Sequence, residues 1–477
     1  MKIRFLVVLA FAIVVSAGNA QSEFQADINK ILKEPALKHA TVGIVVADAK
    51  TGVPVFELNP HQLIIPASTM KLVTTATALE LLGAGYRFET KIGYTGTIDE
   101  SGVLNGNLVV VSGGDPTLGS AYFCQAGERT RFLDEWVAAF QRSGIKKITG
   151  KLVLDANVYE TEEVPPTWVW GDIGNYYGAG ANAFTVFDNL FTITFSSGKT
   201  GELTKIIRTE PNQADLEIDN RVVAADSNSD QAYVYGSPMD KKRIIRGTIP
   251  KEQQAFSIKA AIPDPAAFFG NEMLKSLKTA GIEINELSLG ADTTAIKTIT
   301  THHSPALSDI VKIINHESVN LFAEHLLLQL SAGISTVATR EESVNRLQQF
   351  WKERGLDTSE IFMEDGSGLS HYNSVSPAFL TSVLVEMKKG RNNVVFSESL
   401  PVAGEGTLSS FSEVTFPAAT LRAKSGSLTR VRCYAGYIKT ESEKELAFAI
   451  MLNNFSGSQS KIRTEIERLL REMMSIR

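Results

Sequence analysis

The two ends of this chain share one texture and its middle has another, and that contrast limits the available folds more than any other feature. Residues 40–60 alternate apolar and polar side chains across Ala49-Lys50-Thr51-Gly52, which predicts a β-hairpin. A helix is expected over 66–82, opened by Pro66 and Ser68, carried by Leu72, Ala76, Leu79 and Leu82, and closed by Gly83. Helical spacing returns after Pro305, over 306–315, 321–332 and 341–354. A second hairpin (432–439 with 445–452) and an amphipathic helix near 460–474 complete the chain. Between about 88 and 295 short strand-like runs dominate, at 108–111, 152–154, 191–195 and 232–235, with helices near 132–143 and 265–280. The expected fold is α/β: one core of antiparallel sheet flanked by helices, built from residues 21–88 and 296–477. A β-rich insertion over 89–295, expected to form two subdomains, splits that core.

Composition narrows the function. Of 477 residues, 43% are hydrophobic and 21% charged, ordinary globular values, and the net charge of −6 includes no basic stripe for a phosphate backbone. Nucleic acid is therefore not an expected partner. Residues 1–20 read as a secretory signal: Lys2 and Arg4 precede an apolar run from Phe5 to Val15, and Gly18-Asn19-Ala20 places small residues before Gln21. A short membrane anchor is the other reading of that run. Either way the protein is expected to be exported, to the periplasm or cell envelope. No later segment approaches the length of a span, so association with membrane or wall would be peripheral. Cys124 and Cys433 read as small buried residues rather than a bridge.

Three short elements carry chemistry. In Ser68-Thr69-Met70-Lys71 the i, i+3 spacing puts a hydroxyl and an amine on one helix face. The amine can take the hydroxyl proton if burial or another cation lowers its pKa. The bland reading of Ser68 is a helix cap. Two rival copies, Ser143 to Lys146 and Ser196 to Lys199, fall where a helix ends and a strand turns. The second element is Ser318-Val319-Asn320, in a break between helices, where Ser318 can relay a proton and Asn320 can orient a substrate or Lys71. Its copy at Ser343-Val344-Asn345 lies inside an amphipathic helix, with Asn345 on the surface. His316-Glu317-Ser318-Val319-Asn320 falls short of a zinc-protease helix because position 320 is not histidine. His302-His303 reads as a solvated pair rather than a metal site, so no metal cofactor is expected there. The third element is Lys424-Ser425-Gly426-Ser427, entering a strand: Lys424 offers a cation for a carboxylate, Ser425 a donor, and Gly426 room against the strand edge. The Ser427 and Ser68 backbone N–H groups are candidates for an oxyanion hole. Lys50-Thr51-Gly52 and Lys199-Thr200-Gly201 match this pattern too, but read as hairpin turns.

In this order the three elements resemble the Ser-x-x-Lys, Ser-x-Asn and Lys-[Thr/Ser]-Gly set of the penicillin-recognising serine enzymes. More closely, the chain resembles the low-molecular-mass D-alanyl-D-alanine carboxypeptidases that also act as endopeptidases, a group with a large insertion between the first two motifs. Here Ser68 and Ser318 lie 250 positions apart. Ser112-Gly113-Gly114-Asp115-Pro116-Thr117-Leu118, Tyr177-Gly178-Ala179-Gly180-Ala181 and Asp365-Gly366-Ser367-Gly368-Leu369-Ser370 look like further stretches of that group. Val319 replaces a frequent aspartate and Ser425 replaces threonine, neither of which removes a catalytic group. The resemblance implies a β-lactamase/transpeptidase-like core and an acyl-enzyme mechanism. Lys71 would deprotonate Ser68, Ser318 would protonate the leaving D-alanine, and Lys424 would hold its carboxylate. It also implies peptidoglycan peptides as substrates, β-lactams as covalent ligands and no metal or organic cofactor. A serine β-lactamase and a non-catalytic wall-binding scaffold are the alternatives.

Overall fold

The computed structural model describes residues 24–476 except 126, 214, 285, 293 and 418, so the expected signal segment lies outside the described residues. Among the described residues no helix is long and apolar enough to cross a membrane. The chain forms two compact units. One gathers the stretch up to Gly85 with Leu307–Val319 and Val344–Arg477; the other gathers Tyr86–Ala306 and Asn320–Ser343.

The first unit is built on five strands: β1 (Thr41–Asp48), β2 (Pro54–Leu58), β3 (Leu421–Leu428), β4 (Val431–Lys439) and β5 (Glu445–Asn453). They form one antiparallel sheet in the order β3-β4-β5-β1-β2, with β3 at an edge. The β1–β2 turn is fixed by Asp48, whose Oδ1 accepts from the backbone N–H groups of Lys50 and Thr51, and by Gly52 at φ +78°. This confirms the hairpin read from 40–60. The central strands β4 and β5 are buried almost end to end rather than at alternate positions. Such burial requires cover on both faces of the sheet.

Four helices matter for that cover: α1 (Lys71–Leu82), α2 (Leu307–Glu317), α3 (Pro377–Lys389) and α4 (Gln459–Met473). In α4 the apolar residues Ile462, Ile466, Leu469, Leu470 and Met473 recur at helical spacing and pack with Val46, Phe448 and Ile450 of the sheet. Ser458 caps its start by accepting from the Lys461 N–H. Elsewhere α3 packs on β1 and β5. A Cβ on Gly43 of β1 would lie 2.6 Å from both Ile64 and Pro377, which is why that strand position lacks one. Helix α1 is buried from Lys71 to Leu79, a helix enclosed on all sides rather than amphipathic. Two of its threonines turn inward on its own carbonyls, Thr75 on Lys71 and Thr77 on Val73, Thr74 donates to the Gly366 carbonyl, and Thr77 Oγ1 also accepts from Trp351 Nε1 at 2.9 Å.

The second unit is β-rich. A mixed five-stranded sheet runs in the order Leu287–Leu289, Leu152–Asp155, Leu108–Val111, Glu89–Tyr94 and Lys297–His303. The helices Arg131–Arg142 and Pro265–Thr279 accompany it. Two three-stranded sheets share another core of Phe191, Ile193, Phe195, Val222, Val234, Ile245 and Ile258. Helix Asn320–Gln329, expected at 321–332, ends three residues early and belongs to this unit. Most other expected helix and strand ends fall within one or two residues of those observed.

The interior of this unit holds a polar network. The Gly114 carbonyl accepts from His325 Nδ1 at 2.8 Å and from the Tyr159 hydroxyl at 3.3 Å. His325 Nε2 lies 2.8 Å from Thr185 Oγ1, and Tyr159 donates to Gln329 Oε1 at 2.7 Å. Asp115 Oδ1 accepts from the Thr117 N–H and hydroxyl, while its buried Oδ2 has no hydrogen-bond partner among the described residues. Burial lowers the His325 pKa to about 4 and raises that of Asp115 to about 6.

These shifts act on stability in opposite directions. His325, depressed from 6.5, makes stability fall as pH drops from about 6.5 to about 4, because the unfolded chain binds the proton first. Asp115, raised from 3.8, contributes stability below about 3.8 that is lost as pH rises through about 6. Asp115→Asn removes the second effect alone. Its melting temperature relative to wild type should therefore rise between pH 4 and 7, and a difference that is flat across that range would show that Asp115 titrates normally.

Candidate active site

The site begins where the chain leaves β2. Ile64 pairs with Val375, and a 3₁₀ turn, Ala67–Met70, then leads into α1. In such a turn residues i and i+3 eclipse, so Ser68 and Lys71 stand one above the other. Lys71 Nζ donates to Ser68 Oγ at 3.1 Å. Ser68 caps no helix: the cap positions of the turn and of α1 are Pro66 and Met70, and neither makes a side-chain cap. The i, i+3 meeting read from the sequence is thus found, delivered by a tighter helix than expected.

Lys71 is fully buried, and its Nζ also donates to the Ser367 carbonyl at 2.6 Å. That carbonyl belongs to the run Asp365 to Ser370, whose part the sequence alone did not reveal. Asp365 closes the run, Oδ1 accepting from the Gly368 N–H at 2.7 Å and Oδ2 from the Ser370 N–H at 2.6 Å. Asn373 Nδ2 braces the same carboxylate at 2.8 Å. Gly368, at φ +81°, sits so close to the turn that a Cβ would lie 1.9 Å from the Ala67 carbonyl oxygen. Ala67 is itself at φ +48°, and Ser318, just beyond α2, is at φ +62°. Left-handed backbone at non-glycine residues costs energy and is held in place by its surroundings.

Strand β3 supplies the remaining groups. Lys424 is fully buried; its Nζ donates to Ser318 Oγ at 2.9 Å and to the Ser425 carbonyl at 2.7 Å. Burial, with Lys71 and then Arg432 as neighbouring cations, holds the Lys424 ammonium well below the ordinary lysine range. A Cβ on Gly426 would lie 2.6 Å from the Pro66 carbonyl oxygen and 3.0 Å from the amide nitrogens of Ser68 and Thr69. The strand thus passes directly against the Ser68 turn. Ser425 Oγ donates to the Thr407 carbonyl at 3.4 Å, and Ser427 is exposed near the turn into β4. Arg432, which the sequence analysis did not single out, adds a cation beside Lys424 while its guanidinium donates to the Tyr434 hydroxyl.

The first unit thus brings together Ser68, Lys71, Ser318, Lys424, Ser425 and Gly426. Asn320 opens a helix of the second unit, where its Nδ2 donates to the Tyr177 carbonyl at 2.8 Å. The rival motifs fall where expected: Ser143 ends a helix, Ser196 ends a strand, Asn345 is exposed, and Gly52 and Gly201 occupy turns at positive φ. No group of three metal-ligating side chains occurs among the described residues, and His316 engages Glu317 and Glu405. Two readings need correction. His302 is not solvated but packs against the Trp136 ring at 5.7 Å, which lowers its pKa. Both cysteines are free thiols, but only Cys433 is buried; Cys124 is partly exposed.

The D-Ala-D-Ala carboxypeptidase 3 (S13) family profile matches residues 24–473. The chain belongs to that family. It is 29% identical over 465 residues to a D-alanyl-D-alanine carboxypeptidase of an Actinomadura species, covering 94% of this chain and 84% of the relative. The Haemophilus influenzae D-alanyl-D-alanine carboxypeptidase DacB is 26% identical over 437 residues, 89% of this chain and 88% of the relative. A crystal structure of penicillin-binding protein 4 from that organism superposes with a TM-score of 0.78 at 25% identity, covering 91% of this chain and 95% of the other. The same protein has been solved complexed with a β-lactam. The protein is a peptidase of this family, a low-molecular-mass penicillin-binding protein with the α/β fold expected from the motifs, rather than a compact β-lactamase or an inert scaffold.

The Gly426 contact predicts a defect in a family enzyme that leaves every polar group in place. Gly426→Ala must push β3 and the Ser68 turn apart, and a displacement of about 1 Å can cost on the order of 100-fold in rate. D-alanine release from a D-Ala-D-Ala-terminated peptide should fall by that order while the far-UV spectrum is unchanged. Wild-type turnover would mean that the close approach is dispensable.

Proposed function

We propose that the protein is a serine-type D-Ala-D-Ala carboxypeptidase that also cleaves D,D-cross-links of peptidoglycan, through an acyl-enzyme on Ser68. The observation that carries this reading is the pairing of Ser68 Oγ with the wholly buried Lys71 Nζ at 3.1 Å, inside the same unit as a second such pair, Ser318 and Lys424 at 2.9 Å.

In acylation Lys71 takes the Ser68 proton as Oγ bonds to the carbonyl carbon of the penultimate D-alanine. The C–N bond then breaks, Ser318 gives its proton to the leaving nitrogen, and the Lys424 ammonium replaces it. A lysine held below its ordinary pKa is a ready donor for that step. In deacylation a water oxygen bonds to the ester carbonyl and its proton returns through Ser318 to Lys424. Lys71 then reprotonates the Ser68 oxygen as the C–O bond breaks. The oxyanion faces the Ser68 and Ser427 backbone N–H groups. The substrate's terminal carboxylate lies along β3, with Ser425 as donor and Lys424 as counter-charge; Gly426 leaves the strand open to it. Asn320 orients the substrate, as the Ser-x-Asn resemblance implies. Endopeptidase action differs only in the leaving group, an amine of a neighbouring stem peptide.

A β-lactam meets the same nucleophile: the β-lactam complex of the Haemophilus influenzae relative supports β-lactam binding, and covalent attachment follows from the acyl-enzyme reading. Residues 1–20 support export to the periplasm or cell envelope, with any wall or membrane association peripheral.

A fluorescent penicillin incubated with the mature protein should leave a stable adduct that mass mapping places on Ser68 and that Ser68→Ala abolishes. An adduct on any other residue, or none on the folded wild type, would remove Ser68 from its assigned role. Lys71→Ala should slow acylation by about 100- to 10,000-fold, the range for loss of a general base, with the fold intact. Unimpaired acylation would exclude Lys71 as the base.

A further inference from the structure

We propose that His325 is a positioning residue for the reaction: by bridging the Gly114 carbonyl and the Thr185 hydroxyl, it fixes the helix that Asn320 opens. This inference rests on the reading that Asn320 orients substrate.

Helix Asn320–Gln329 is tied at three heights to several segments of the second unit. At its first residue Asn320 Nδ2 donates to the Tyr177 carbonyl at 2.8 Å. Five residues on, His325 holds the 112–118 run through Gly114 and the 182–189 run through Thr185, each at 2.8 Å. At its last residue Gln329 accepts from Tyr159 at 2.7 Å and donates to Tyr86 at 2.8 Å. The middle tie joins two runs through one imidazole ring. Thr185 Oγ1 passes the connection on, accepting from Asn189 Nδ2 at 2.9 Å, and Asn189 Nδ2 reaches the Gly180 carbonyl at 2.9 Å. Gly180 lies three residues beyond the Tyr177 carbonyl that holds Asn320. A closed circuit therefore runs from His325 through Thr185, Asn189 and the 177–180 run back to Asn320.

The position has no room for slack. A Cβ on Gly114 would lie 2.1 Å from the Tyr159 hydroxyl, so the carbonyl that His325 grips cannot drift towards that ring. His325 has no exposed surface, and an apolar side chain of its size would fill the same volume. What such a side chain cannot do is satisfy the Gly114 carbonyl and the Thr185 hydroxyl together. A neutral imidazole does both, donating from Nδ1 and accepting at Nε2. Packing alone therefore does not account for histidine here, whereas alignment of the helix start does.

Four variants distinguish this from a packing role: His325→Leu, His325→Gln, Asn320→Ala and the double variant His325→Leu/Asn320→Ala. Each is measured for penicillin acylation rate and for kcat and KM of D-alanine release, with melting temperature as a folding control. His325→Leu should lower the acylation rate and kcat roughly tenfold to 100-fold, the range for a displaced positioning group. His325→Gln, whose amide can donate and accept at the same two places, should restore most of that rate. The double variant should be no slower than Asn320→Ala alone, because His325 acts through Asn320. Losses that multiply in the double variant, or a slow Asn320→Ala beside a wild-type His325→Leu, would overturn the positioning role and leave Asn320 in place. A wild-type rate in Asn320→Ala would instead overturn the reading of Asn320 itself. If His325→Leu does not fold, Thr185→Val removes both the Nε2 partner and the acceptor for Asn189 while leaving His325 in place, and a wild-type acylation rate in that variant would count against the circuit.

Discussion

Two lysine side chains, Lys71 and Lys424, are buried without exposed surface in one unit, and the rest of the site follows from accommodating them. An isolated ammonium moved out of water costs several kcal/mol even after relaxation, so each must be solvated by fixed protein groups or lose its proton. The structure supplies both answers. Each lysine donates to a serine hydroxyl and to a backbone carbonyl: Lys71 to Ser68 and Ser367, Lys424 to Ser318 and Ser425. In the proposed mechanism the hydroxyls are the reactive groups, and the carbonyls hold each amine in place beside them. Because the two cations also repel, Lys424 is poised to give up a proton, the property that protonating a leaving group requires. Stability and reactivity thus arise from the same burial.

Much of this was legible in the sequence because it depends on local spacing. The hairpin over 40–60, the enclosed helix after Pro66 and the closing amphipathic helix all follow from periodicity and turn chemistry, and all are present. Ser68 and Lys71 meet because three positions separate them, and either an α-helix or a 3₁₀ turn satisfies that condition. Gly426 was read as making room for a ligand at the strand edge. The structure adds a second reason, the Ser68 turn packed against it. The rival copies of each motif failed for reasons visible in advance, since none opens an apolar helix or enters a buried strand.

What stayed hidden depends on carbonyls and on distance. A backbone carbonyl has no residue-type signature, so nothing in the sequence could assign the Ser367 oxygen to Lys71, 296 positions away. Arg432 sits at a strand position where an exposed cation would be unremarkable. His302 was misread because the surface it packs on, the Trp136 ring, comes from a helix far away in the chain. His325 did leave a trace. Glu324, His325 and Gln329 interrupt an otherwise apolar helix, and buried polar residues in such a run demand partners.

The runs that looked like family stretches now have a common physical purpose. In 112–118, Asp115 folds back on Thr117 and the Gly114 carbonyl meets His325; in 365–370, Asp365 folds back on Gly368 and the Ser367 carbonyl meets Lys71. In 177–181 the Gly180 carbonyl meets Asn189. The first two runs each use an aspartate to tighten a loop, and all three aim a carbonyl at a buried nitrogen. Two of them place glycine where a Cβ would collide, Gly114 with Tyr159 and Gly368 with Ala67. A carbonyl aimed by its own loop is a rigid acceptor that contributes no proton, whereas a carboxylate at the same place would neutralise the cation and fix its protonation state. Loops of this kind therefore suit the proposed mechanism, in which the lysines change protonation during turnover, and in the first unit Ser367 meets that requirement for Lys71.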